Sequence, residues 1–185
     1  MHFESRMDNM PSPDYLPAKI NLTLIIYADG SCYYKTGEGA YAARIEYRYN
    51  EAGMDALHYV WGHLDGVTNN IAELLAIYNG LIAVPERLRK DATVLLYSDS
   101  EWAIRCLNGE YKPKMYHDDP LINWNMIHGA ASTFRLVKFM HTKGHAGTLG
   151  NEECDTLCEY ARKNIPITPS VFKTLMAQAK AKSRD

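Results

Sequence analysis

The chain has 185 residues, 46% of them hydrophobic and 23% charged, enough for one globular domain with a proper core and short for two. These values exclude a disordered, collagenous or coiled-coil chain, and no apolar run approaches the ~20 residues that would span a bilayer. Twenty basic residues against 22 acidic ones leave a net charge of −2, so a partner attracted by bulk charge alone is not indicated. Residues 1–19 contain Pro11, Pro13 and Pro17 without periodicity and are expected to form a flexible leading arm. Glu4, Asp8 and Asp14 stand where a signal peptide needs an apolar stretch, so the cytoplasm is expected and Cys32, Cys106, Cys154 and Cys158 read as reduced thiols. Residues 20–28 (INLTLIIYA) are strongly β-prone and end at Asp29-Gly30-Ser31, a strand-end or turn signal. Residues 39–49 and 56–63, separated by the turn Asn50-Glu51-Ala52-Gly53, complete an antiparallel meander.

The spacing of Ile71, Leu74, Leu75, Ile77, Tyr78, Leu81 and Ile82 predicts a helix over 70–84, closed by Pro85. Residues 93–97 (TVLLY) form a short apolar strand of the kind buried on both faces of a sheet. Residues 101–108 make a short helix, and 120–132 another, begun after Asp118 and Asp119, which suit a helix N-terminus. A fifth strand covers 134–140. The three glycines of 142–150 require a loop, 151–162 is helical, and 171–182 is a last amphipathic stretch. The fold class is therefore α/β, a mixed five-stranded sheet with three antiparallel strands followed by two parallel ones, flanked by helices. Residues 20–164 make the domain and 165–185 a basic helical tail, read as a solvated helix face with a docking role as the alternative.

Four carboxylates sit where structural needs do not put them. Asp29 follows an apolar strand, Glu73 begins the apolar helix, Asp99 ends the TVLLY strand, and Asp155 lies near the start of the helix after the glycine loop. Singly, each has a plain reading as a turn residue, helix-dipole partner or N-cap. If the first and fourth strands are adjacent, the four can converge on one edge, where they repel unless cations neutralise them. Mg²⁺ or Mn²⁺, which prefer oxygen ligands, are the natural occupants. Two such ions ~4 Å apart can activate a water and stabilise the leaving oxygen of a phosphodiester.

The flanking residues decide between these readings. Asp29-Gly30-Ser31-Cys32 follows a strand, Thr68-Asn69-Asn70-Ile71-Ala72-Glu73-Leu74 enters a helix, and Tyr97-Ser98-Asp99-Ser100 ends a strand. Lys143-Gly144-His145-Ala146-Gly147 precedes Asn151-Glu152-Glu153-Cys154-Asp155. In this order the segments resemble the type 1 ribonuclease H family over roughly residues 22–164. The resemblance implies a ribonuclease H-like fold and a divalent-metal-dependent endoribonuclease. Its substrate would be the RNA strand of RNA/DNA hybrids, cut with two ions to leave 5′-phosphate and 3′-hydroxyl ends. Asp29, Glu73, Asp99 and Asp155 would be the metal-binding quartet. His145 would be the mobile catalytic histidine, a role that suits its near-neutral titration and its flanking glycines. Asn69 and Asn70 would contact the hybrid, with Thr68 as a phosphate contact and Ser31 and Cys32 as neighbours lining the groove.

Departures and rivals accompany this resemblance. Tyr33-Tyr34-Lys35-Thr36-Gly37 replaces the Asn-Pro-Gly-type loop of many members. The basic, Trp-rich protrusion of bacterial members is expected to be absent. Residues 101–119 carry only Arg105, Lys112 and Lys114, against Glu101, Glu110, Asp118 and Asp119. Hybrid affinity is then expected to be weak and salt-sensitive unless the C-terminal tail or a partner contributes. A monomer is expected by default. The rival readings are an inactive hybrid-binding module, another nuclease of the same superfamily, and a zinc site from His141-x3-His145 with Cys154-x3-Cys158. Against zinc, Gly144 and Gly147 break the helix that would align the histidines, and Asp155 interrupts the cysteine pair.

Overall fold

The computed structural model describes residues 4–8, 22–49, 55–144 and 146–184. Strand β1 (Glu4–Asp8) runs antiparallel to β4 (Asp55–Leu64), β4 to β3 (Glu38–Tyr49), and β3 to β2 (Leu22–Tyr33). Strands β5 (Ala92–Ser98) and β6 (Leu136–His141) then extend the sheet in parallel with β2, giving the order β1-β4-β3-β2-β5-β6. The expected mixed sheet is present, and a sixth strand is added to its antiparallel edge from within the leading arm. An edge strand gains its hydrogen bonds from backbone alone, so β1 needs no alternating pattern to announce it.

Two apolar layers cover the sheet. On one face Leu24, Ile26, Ala43 and Ile45 pack with Leu74, Ile77 and Leu81 of α1 (Asn69–Ile82). Ile104 of α3 (Glu101–Leu107) and Ile127 of α4 (Trp124–Ser132) join the same cluster. On the other face Ala40, Ala42, Tyr59 and Trp61 pack with α5 (Leu149–Ala161) and α6 (Pro169–Lys182). The short helix α2 (Glu86–Arg89) follows Pro85. Because α5 lies across β2, β3 and β4, one side of β5 is only half covered, and Thr93, Leu95 and Tyr97 are half-buried rather than buried on both faces as expected.

Three features differ from the sequence reading. The fourth helix starts at Trp124, not 120. Asn123 caps it by accepting from the Met126 N–H, while Asp119 accepts from the N–H groups of Leu121 and Ile122 in the preceding turn. Helix α5 begins at Leu149, so the glycine loop is shorter. The C-terminal stretch is not a solvated face alone: Phe172, Leu175 and Ala179 of α6 are buried, with Phe172 stacked on Trp61 and edge-on to Tyr59. Residues 108–123 contain no helix, and among the described residues no helix is long and apolar enough to cross a membrane.

Candidate active site

The parallel pairing of β2 with β5 runs from Leu22 opposite Ala92 to Tyr27 opposite Tyr97 and stops there. Strand β2 continues against β3 alone, to Tyr33 opposite Glu38. Asp29 is therefore not in a turn, as its Gly-Ser flank suggested, but inside a long strand just past the point where its parallel neighbour departs. Crevices of α/β sheets lie beyond the carboxyl ends of strands. Asp99 follows the last residue of β5 and reaches the same place.

Helix α1 supplies the third carboxylate. Its start is capped by Thr68, whose hydroxyl accepts from the Ile71 N–H at 3.3 Å, and Glu73 follows one turn in, on the buried side. The helix can lie this close to β2 because residue 30 is glycine: a Cβ there would overlap the backbone of Ala72 and Glu73. The Gly30 N–H donates to Glu73 Oε2 at 3.2 Å, and the Asn69 amide donates to Oε1 at 3.4 Å.

Oxygens of Asp29, Glu73 and Asp99 come within 4.8 Å of one another. Asp29 and Glu73 are buried, and Asp99 is half-buried. Among the described residues no basic side chain pairs with any of the three. Burial first, then the charges of Asp99 and Asp155, push the Asp29 carboxyl well above the usual carboxylate range. Burial, then Asp29 and Asp99, do the same to Glu73, against the lowering hydrogen bonds from Gly30 and Asn69. This is a set of hard oxygen donors with concentrated, uncompensated negative charge, which suits Mg²⁺ or Mn²⁺.

Asp155 stands outside that 4.8 Å group, on the second turn of α5, near enough for its charge to act on Asp29. It has a partner: Lys182 Nζ, at the end of α6, lies 3.2 Å from Asp155 Oδ2 and 3.2 Å from Glu159 Oε2. His145 lies outside the described residues. Its neighbour Gly144 rests against Asp99, where a Cβ would come within 2.7 Å of Oδ2, and the Thr142 N–H donates to the Ser98 carbonyl.

The remaining residues singled out in the sequence border this cluster. Thr68 and Asn69 are exposed, while Asn70, Ser31 and Cys32 are half-buried. The Cys32 thiol donates to the Val67 carbonyl at 3.0 Å, and burial raises its pKa. Thr68 Oγ1 also lies 3.3 Å from the Tyr116 hydroxyl. The cysteines of the zinc reading are engaged elsewhere: Cys154 donates to the Tyr27 carbonyl and Cys158 to that of Asp29, both fully buried, with pKa values pushed up by burial. They hold α5 to β2 and leave the carboxylates as the candidate ion-binding groups. Tyr116 and Lys182 were not identified as site residues in the sequence. Each reaches its partner across a long chain separation, and no local pattern reports that.

Comparison with known proteins gives one consistent result. The RNase H family profile matches residues 21–163. A ribonuclease H of Desulforamulus reducens is 31% identical over 156 residues, covering 78% of this chain and 91% of that protein. A ribonuclease HI of Campylobacter jejuni is 32% identical over 145 residues, covering 76% of this chain and 91% of its own length. Among solved structures, LC9-RNase H1, a type 1 RNase H with the type 2 active-site motif, superposes with a TM-score of 0.69 at 21% identity, covering 91% of this chain and 86% of the other. LC11-RNase H1, solved in complex with an RNA/DNA hybrid, gives a TM-score of 0.61 at 24% identity, covering 76% and 97%.

Proposed function

Because the chain belongs to the ribonuclease H family, we propose that it hydrolyses the RNA strand of RNA/DNA hybrids with the aid of divalent cations at the carboxylate cluster. It is a hydrolase of the endoribonuclease type. The observation that carries the reading is the convergence of Asp29, Glu73 and Asp99, from a strand, a helix and a strand end, within 4.8 Å. Asp29, Glu73 and Asp99 would hold Mg²⁺, or Mn²⁺ in its place, and Asp155 would complete the position of a second ion. Bound there, the ions supply an activated water and charge stabilisation at the leaving oxygen.

The chain's own residues do the rest. The Gly30 N–H and the Asn69 amide fix the Glu73 carboxylate, so its orientation is set before any ion arrives. Thr68, Asn69 and Asn70 stand at the positive end of α1, where hydroxyl, amide and backbone N–H groups suit phosphate and sugar oxygens. Contacts to ribose 2′-hydroxyls would select RNA for cleavage. Ser31 and Cys32 line the strand beside Asp29. His145 would move a proton to or from the departing group, leaving 5′-phosphate and 3′-hydroxyl ends. The protein would act as a monomer in the cytoplasm through residues 20–164.

The test is cleavage of a labelled hybrid in Mg²⁺, with single-stranded RNA, duplex RNA and duplex DNA as controls. Hybrid-selective cutting, lost by about 10³-fold or more in Asp99→Asn, is expected. Equal cutting of duplex DNA would remove the hybrid assignment, and tight binding without cutting would make the chain a binding module.

A further inference from the structure

Helix α6 brings a cation to Asp155. Phe172, Leu175 and Ala179 bury one face of the helix against α5 and the sheet, so its far end is held in place. That end meets the loop that carries His145. Gly147, at φ 75°, leaves room for the Ser183 carbonyl, which a Cβ would meet at 3.0 Å. One residue earlier, Lys182 places its ammonium 3.2 Å from Asp155 and 3.2 Å from Glu159. An ion pair on a helix surface often does no more than decorate it. This one differs in its partner: Asp155 is one of the four carboxylates read as ion ligands, and its side chain is only 17% exposed.

Resting on the reading of Asp29, Glu73, Asp99 and Asp155 as ion-binding residues, we propose that Lys182 is a tethered cation that competes with the second divalent ion for the Asp155 carboxylate. The second ion then binds only by displacing the ammonium and loosening the last turn of α6. Lys182 thereby sets the metal concentration at which the site fills. It acts on the reaction through Asp155 and is a positioning residue.

Calorimetric titration of Mn²⁺ into the full chain tests this without reference to activity. Wild type, Lys182→Gln, Lys182→Arg and Lys173→Gln are compared; Lys173 is exposed on the same helix and controls for net charge. In Lys182→Gln the weaker binding event is expected to tighten by about two- to five-fold, or to become visible, with the tighter event unmoved. Lys182→Arg should restore the wild-type isotherm and Lys173→Gln should match it. Superimposable isotherms for wild type and Lys182→Gln overturn the proposal, as does an equal shift in Lys173→Gln. Amide exchange in residues 179–183 of the wild type should quicken on saturation with Mn²⁺, and unchanged exchange also overturns it. A wild-type chain that takes up no Mn²⁺ at all would instead remove the ion-binding reading beneath it.

Discussion

Asp29 and Glu73 are costly residues for the metal-free protein. Each is buried beside another carboxylate, and no basic side chain among the described residues balances the pair. A carboxyl whose folded pKa is raised stabilises the fold at low pH, below its unfolded value of ~4, and that contribution disappears as pH rises through the raised folded value. At neutral pH in chelator, Asp29→Asn should therefore be more stable than wild type by ~1 kcal/mol or more, seen as a melting temperature about 2–4 °C higher. The gap should close on acidification toward pH 4 and reverse when Mg²⁺ is added, because cations stabilise only the charged site. A chelator-treated variant that melts at or below the wild-type temperature at pH 7 would contradict this. At this scale the sequence was informative: the flanks of Asp29, Glu73 and Asp99 identified three residues that do come together. It was silent on Lys182, whose partner Asp155 lies in a different helix.

At the scale of elements, the site depends on how closely α1 approaches β2. Gly30 sets that distance, and its N–H also anchors Glu73. Gly30→Ala should push the helix outward, lower stability by ~3 kcal/mol or more and reduce hybrid cleavage with it. Retained activity at an unchanged melting temperature would show that the approach is looser than described. The same apposition explains what was legible in the fold. Periodic segments such as α1 and the alternation of Ile45, Tyr47 and Tyr49 in β3 could be read locally, because a buried face repeats at the period of its element. The course of β2 beyond Ala28 could not, since it depends on the length of β3 alongside. Nor could β1, whose pairing with β4 draws on backbone groups common to any sequence. The start of α4 was misplaced because Asp119 and Asn123 both offer capping oxygens, and only the packing of Trp124 and Ile127 selects the second.

For the whole molecule, substrate affinity has to be reached with a net charge of −2. The irregular segment 108–123 brings Lys112 and Lys114 but no helix, and Arg105 nearby is already paired with Glu101 at 2.6 Å. Hybrid binding should therefore be weak and carried by a small number of phosphate contacts. For about four contacts, the dissociation constant should rise by ~10²-fold between 50 and 200 mM salt, as read from fluorescence anisotropy of a labelled hybrid in Ca²⁺. A flat response would show that shape and neutral contacts carry the affinity.

The placement of Ser183 against Gly147 has a spatial consequence of its own. Whatever follows Arg184 departs beside Gly147, in the loop between β6 and α5, while β1 lies three strands away from β2. A short flexible extension at the first point meets the surface around Gly147 and Asp155 at an effective concentration in the millimolar range. A basic or nucleic-acid-binding module attached there would act as a local anchor for the hybrid, and an acidic one as a competing strand.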